Sequence, residues 1–196
     1  MKHVRENPGV AGMTLIEVSM AVAVLTTLTF AVAALTHTAA EATNTSMRTQ
    51  QVDEGLTRAL DQLAHDLGSA SGSGTVIDTS GSSHDRVSLQ LSSAELVGTG
   101  QEWGYRDANG VFQPNWLCTY SVENSNLLMT VTDTFGDLEY QRTLCAEVDD
   151  YDGVSKGFLL TQVNDLVIIT LRTRGTYSDG GQRTRTVSTT VLQLLP

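Results

Sequence analysis

Glu17 is the residue in this chain whose placement most demands a chemical role. It stands at the mouth of an apolar run from Val18 to Leu35, and a carboxylate beside a would-be membrane segment is costly unless something uses its charge. Five positions earlier, Gly12 closes a short polar leader carrying Lys2, His3 and Arg5. A second pair of groups could do redox chemistry. Cys118 and Cys145 are the only cysteines, and in an exported domain an even count favours a disulfide. Closing a loop of this length would be worth roughly 3–4 kcal/mol in the chain-entropy model. Two buried thiols that never meet are the alternative.

Signals for catalysis or metal binding are weak, and neither a metal nor a cofactor is expected. His3, His37, His65 and His84 show no ligand spacing of the H-E-x-x-H kind. Ser83-His84-Asp85 reads as a turn composition, because catalytic triads are assembled in space rather than by adjacency. His65-Asp66 reads as the polar face of a helix. Glu147-Val148-Asp149-Asp150-Tyr151-Asp152-Gly153 is acidic enough to attract calcium, but its spacing is not that of an EF-hand loop. A solvated acidic loop is the simpler reading.

The 196 residues suffice for one domain plus an extension, and 40% hydrophobic with 17% charged residues is the composition of a folded chain. A net charge of -10 repels nucleic-acid backbones, which need clustered Lys and Arg, so no direct nucleic-acid binding is expected. Basic residues precede the apolar run, which keeps its amino end cytoplasmic and sends the remainder across.

These groups must be positioned by a long helix and a sheet. Roughly 20 apolar residues span a bilayer as a helix, and Met13 to Leu35 is of that order. Ser19, Thr26, Thr27 and Thr29 can bond back to their own helix carbonyls. Val52, Leu56, Leu60, Leu63 and Leu67 then recur at three- and four-residue spacings on one helix face, with Arg48, Asp53, Glu54, Arg58, Asp61 and Asp66 placed elsewhere around it. No proline interrupts Met13 to Ala70, so one continuous helix on the order of 85 Å long is possible. The alternative is a break over Ala39 to Ser46, where Thr43, Asn44, Thr45 and Ser46 are poor helix formers.

Beyond a Ser/Gly connection at 69–74 the period changes to two. Val87, Leu89 and Leu91 alternate with polar residues. Further strands are predicted over Trp116 to Val122, Leu127 to Thr132, Leu138 to Leu144, Phe158 to Thr161, Leu166 to Arg172 and Thr184 to Leu194. Turn clusters at Asn124-Ser125-Asn126, Phe135-Gly136-Asp137 and Ser178-Asp179-Gly180-Gly181 separate several of them. A long helix followed by antiparallel strands is an α+β arrangement, with the helix covering one sheet face.

Gly12-Met13-Thr14-Leu15-Ile16-Glu17 before an apolar run resembles the processing site of type IV pilins and pseudopilins. Leu60 to Ala70, a glycine-rich break, the strand Asp85 to Leu91 and the closing hairpin of Leu166 to Arg174 with Arg183 to Leu195 resemble the minor pilins of the PilW and GspJ type, although this chain ends Leu194-Leu195-Pro196. The resemblance implies a pilin-like fold, with the long amino-terminal helix laid across an antiparallel sheet. It implies cleavage between Gly12 and Met13 by a prepilin peptidase, and methylation of the new Met13 amine. Met13 stands where the family usually has phenylalanine. Glu17 of an incoming subunit would pair with the Met13 amine of a neighbour, since opposite charges in contact recover much of the cost of an isolated carboxylate in lipid. Some pseudopilins bind calcium, which keeps the acidic turn in view.

The implied organisation is a leader at 1–12, a transmembrane and filament-core helix at 13–36, an amphipathic continuation at 37–70 and a β-rich domain at 71–196. The expected function is that of a structural minor pilin or pseudopilin, without catalysis of its own, in a type IV pilus, a competence pilus or a type II secretion pseudopilus. Its partners would be other pilin subunits through the amino-terminal helix, the prepilin peptidase and the inner-membrane assembly platform. It would reside in the cytoplasmic membrane as a single-pass protein, then in a surface or periplasmic filament. Two alternatives stay open. One is a secreted binding domain behind a signal peptide cleaved near Ala39-Ala40-Glu41-Ala42; the other is a membrane-anchored adhesin that never polymerises.

Overall fold

The apolar run and the leucine stripe belong to a single helix, α1 (Leu15–Ser69). The computed structural model describes residues 13–70, 74–81, 83–92, 102–149, 156–176 and 181–192. The helix passes through Ala39 to Ser46 without a loop. Its hydroxyls turn inward onto the helix: Thr26 Oγ1 donates to Val22 O at 2.7 Å, Thr29 Oγ1 to Leu25 O at 2.8 Å and Thr43 Oγ1 to Ala39 O at 2.8 Å. These bonds satisfy groups that would otherwise oppose an apolar environment.

Contacts divide the chain into two units, Met1–Asn44 and Thr45–Pro196. In the first, every described side chain is exposed, including Leu15, Leu25, Leu28, Phe30 and Leu35. In the second, the stripe predicted from spacing is the buried face: Leu56, Leu60, Leu63 and Leu67 are almost fully covered, joined by Ala59. Burial of each such leucine contributes on the order of 1.5–3 kcal/mol. Val52, first in that stripe, is only half-buried.

The strands that complete this unit are β1 (Val76–Asp78), β2 (Arg86–Leu89), β3 (Leu91–Ser92), β4 (Trp103–Arg106), β5 (Phe112–Pro114), β6 (Leu117–Glu123), β7 (Asn126–Thr132), β8 (Leu138–Cys145), β9 (Phe158–Val163), β10 (Leu166–Thr176) and β11 (Gln182–Leu192). They form a five-stranded sheet in the order β1-β2-β6-β7-β8 and two three-stranded sheets, β11-β10-β9 and β3-β4-β5. Every strand pairing among the described residues is antiparallel. The α+β arrangement expected from the sequence is the one found.

Three differences have physical reasons. The alternation of Val87, Leu89 and Leu91 is split at Gln90, whose N–H bonds Gly74 O and whose side-chain amide bonds Trp116 O. Leu89 therefore pairs with Cys118 on β6, while Leu91 pairs with Gly104 on β4. Strands β4 and β5 were not foreseen, being short and carrying Gly104 and Pro114; a proline is tolerated at a sheet edge, where β5 lies. Finally, β10 and β11 form a hairpin with eleven paired positions, longer than the predicted strand Leu166 to Arg172.

The turns follow their residues. Asn124 and Ser125 both have positive φ, at 49° and 59°, as a two-residue type I′ hairpin loop requires. Asp133 and Asp107 close two matching five-residue loops. In each the aspartate Oδ1 accepts two backbone N–H groups, from Phe135 and Asp137 or from Asn109 and Val111. A glycine with φ near +85° then completes the loop, Gly136 at 89° and Gly110 at 83°.

Candidate functional site

At the start of α1, Thr14 and Glu17 hold each other. Glu17 Oε2 accepts the Thr14 N–H at 2.9 Å and the Thr14 hydroxyl at 3.0 Å, while the Glu17 N–H donates to Thr14 Oγ1 at 3.3 Å. This is a capping box, in which an N-cap threonine and a glutamate three residues later satisfy each other's free backbone donors. Sequence reasoning treated Glu17 as a charge awaiting a partner and missed this local role, although T-x-x-E before an apolar run is its signature. Met13 is exposed immediately before the box. Gly12 and the leader, with the proposed cleavage junction, lie outside the described residues. Behind the box, α1 is long and apolar enough to cross a membrane by length and composition.

Among the described residues the β-rich unit holds three buried carboxylates, each engaged differently. Asp66 is 2% exposed, which corrects its assignment to a polar helix face; its neighbour His65 is exposed. Tyr120 Oη donates to Asp66 Oδ2 at 2.5 Å, Tyr105 Oη donates to the same oxygen, and Gln62 Nε2 reaches Oδ1 at 3.0 Å. Burial pushes the ionisation of Tyr105 and Tyr120 well above the ordinary tyrosine range, reinforced by the charges of Cys118 and Asp66. A signal was available. Asp66 follows Ala59 by seven residues, close to two helical turns, and so flanks the apolar stripe.

Asp149, 3% exposed, corrects the reading of Glu147 to Gly153 as a solvated loop. Residues 147–149 lie alongside β10 just beyond the Phe158 end of β9: Asp149 N–H bonds Arg172 O at 2.8 Å, and Arg174 N–H bonds Glu147 O at 2.9 Å. The Asp149 carboxylate receives Arg172 Nη2 at 2.5 Å and Arg174 Nε at 2.8 Å, and Glu147 pairs with Arg48 at 2.5 Å. Two acids that could have served calcium are thus committed to arginines. Asp150 and Asp152 lie outside the described residues. Gly157 permits this crossing, because a Cβ there would collide with the Asp149 carbonyl.

The third buried carboxylate, Asp85, accepts Lys156 Nζ at 2.6 Å and the Leu160 N–H at 2.7 Å. That engagement gives Asp85 of Ser83-His84-Asp85 a structural duty. Among the described residues no group of three or more His, Cys, Asp or Glu could hold a metal ion.

The disulfide expected between Cys118 and Cys145 is not formed; both are free, buried thiols. The register shows why. Cys118 pairs with Val131 and Cys145 with Leu127, on opposite sides of β7. The two are therefore two strands apart and offset by four residues, on the order of 15 Å, against at most about 7 Å between Cα atoms for a bridge. Burial pushes the Cys145 thiol up to about 11 and raises Cys118 further.

Between α1 and β8 runs a groove of about 540 Å³, with Arg58 and Arg142 among its charged groups and Ala59 and Leu144 among its apolar ones. Searches against protein-family models, curated proteins and solved structures return no match.

Proposed function

We propose that this chain is a filament subunit of the type IV pilin and pseudopilin kind, made with a leader that is removed between Gly12 and Met13. The observation that carries the reading is the division of labour along α1. Residues 13–44 are exposed and predominantly apolar at the start, whereas Leu56 to Leu67 belong to the core of a β-rich domain. Exposed apolar surface on this scale needs lipid or other helices around it. In the membrane the first half is anchored in lipid; in a filament it packs against the same segment of other subunits.

Glu17 supports the reading twice over. Its capping box starts the helix directly behind Met13, and its charge lies within reach of an amine that cleavage would create on its own or a neighbouring chain. The β-rich domain stands outside and contacts companion subunits, as in a minor pilin of an initiating complex. The chain is structural, with no chemistry of its own; a prepilin peptidase and an inner-membrane platform act on it.

The amino terminus of the protein from native membranes tests this by mass spectrometry. A methylated Met13 supports the proposal. A start near Glu41 makes the protein a secreted domain, and an intact Met1 leaves a membrane anchor; either overturns the processing step.

A further inference from the structure

We propose that the β7–β8 turn of one copy docks in the α1–β8 groove of a second copy, giving the β-rich domain a head-to-tail contact with itself. The turn is built as an anchor. Phe135 is 89% exposed at its tip, on a loop fixed by Asp133, which accepts the Phe135 and Asp137 N–H groups at 2.8 Å each. Gly136 N–H closes back on Asp133 O at 3.2 Å. An aromatic ring held on a rigid loop loses little conformational entropy when it is buried, and such residues dominate interface energetics.

Charge selects the receiving surface. Asp133, Asp137 and Glu139 surround the ring in sequence, on a chain of net charge -10, so the partner surface must be locally basic. The groove offers Arg58 and Arg142 against one lining carboxylate, Asp61, over Ala59 and Leu144. Arg58 is held only by Glu54 at 3.4 Å, with both side chains exposed, a contact worth little and readily exchanged. At about 540 Å³ the groove lies within the size range that accepts a compact ligand.

The turn cannot fill its own groove. Phe135 precedes β8, whereas Arg142, Thr143 and Leu144 lie towards the far end of that extended strand, roughly 13–20 Å beyond Leu138 at 3.3 Å per residue. The contact therefore joins two different patches on two copies, and heterologous contacts propagate into rings or open filaments. Both surfaces lie within residues 45–192, so the inference is independent of how the apolar helix is used.

The test is sedimentation velocity of the full chain in non-ionic detergent micelles at low salt. Wild type should self-associate, and Phe135→Ala should weaken the association at least tenfold. Neither D137R/E139R nor R58E/R142E should associate alone, while an equimolar mixture of the two should pair. Phe135→Cys chains mixed with Arg142→Cys chains should crosslink, and Phe135→Cys chains alone should not. A monomeric wild type, an unchanged Phe135→Ala, a mixture that stays monomeric or a missing mixed crosslink would each overturn the proposal. Glu17→Ala should associate as wild type does, so this contact and the helix-based assembly fail separately.

Discussion

Tyr120 and Asp66, 54 residues apart, are joined by a 2.5 Å hydrogen bond that ties β6 to α1 inside the core. Tyr105 donates to the same carboxylate oxygen from β4, so one acidic side chain links the helix to two sheets. Asp66→Ala leaves two buried hydroxyls without their acceptor and should destabilise the domain by about 2–6 kcal/mol, since each unsatisfied donor costs about 1–3 kcal/mol. Tyr120→Phe removes one donor and should cost about 1–3 kcal/mol. Urea unfolding of the full chain in micelles measures both; equal stability of Asp66→Ala and wild type would show that the network contributes nothing.

The same cluster sets an alkaline limit. Both tyrosines ionise at higher pH when folded than when unfolded, first because they are buried and then because Cys118 and Asp66 add negative charge. As pH rises past about 10, where free tyrosine titrates, the unfolded chain loses protons that the folded chain keeps. The tyrosines' contribution to stability is thus fully present below that pH and is lost above it, by about 1.4 kcal/mol per pH unit for each tyrosine. Unfolding midpoints measured across this range should fall more steeply for wild type than for Tyr120→Phe; parallel curves would refute the assignment.

At the helix start, charge and capping can be separated. Glu17→Gln keeps the capping box, because glutamine serves there too, but removes the charge. Glu17→Ala removes both the charge and the acceptor of the Thr14 N–H, while Thr14 remains as the N-cap. Hydrogen exchange at the Thr14 amide, whose acceptor is the Glu17 side chain, should stay slow in the glutamine variant and accelerate in the alanine variant. Filament assembly should fail in both. Normal assembly of Glu17→Gln would assign Glu17 to capping and end its role as a charge partner.

Burial decides which of two neighbouring acids matters for stability. The Glu147–Arg48 pair has side chains 25% and 65% exposed, so Glu147→Ala should cost no more than about 1 kcal/mol. Asp149 is 2% exposed between Arg172 and Arg174, and its replacement by alanine leaves arginine charge facing a buried gap. A loss of about 3–5 kcal/mol is expected. Thermal melts of the two variants side by side provide the measurement, and a reversed order would contradict the geometry.

What the sequence made legible was periodic. The four-and-three spacing of Leu56, Leu60, Leu63 and Leu67 located the buried helix face, and alternation located β6 to β11 within a few residues. Features that depend on side chains meeting across the fold were not legible. Asp66 looked like surface because acids usually are, and it takes Tyr105 and Tyr120 arriving from distant strands, with Gln62 from its own helix, to satisfy it when buried. Cys118 and Cys145 invited a bridge that sheet register forbids. Gln90 divides one apparent strand between two sheets, because its amide is satisfied by Gly74 and its side chain by Trp116. Arg172 and Arg174, two apart at and just beyond the end of the predicted strand, offered a usable signal that opposite charge awaited them.

The strand order also bears on how the chain finds its fold. Among the described residues all but one of the strand pairings join neighbours along the chain, and hairpins such as β6–β7 and β9–β10 close within microseconds. The exception is β2 beside β6, where Val87 meets Tyr120 and Leu89 meets Cys118. That pairing spans β3 to β5 and brings Tyr120 to Asp66, so its loop-closure entropy must be met before the core rewards it. The search for the native state is therefore slowest at this junction. Substitutions at Val87 or Tyr120 should retard refolding, whereas those in the β10–β11 hairpin chiefly hasten unfolding.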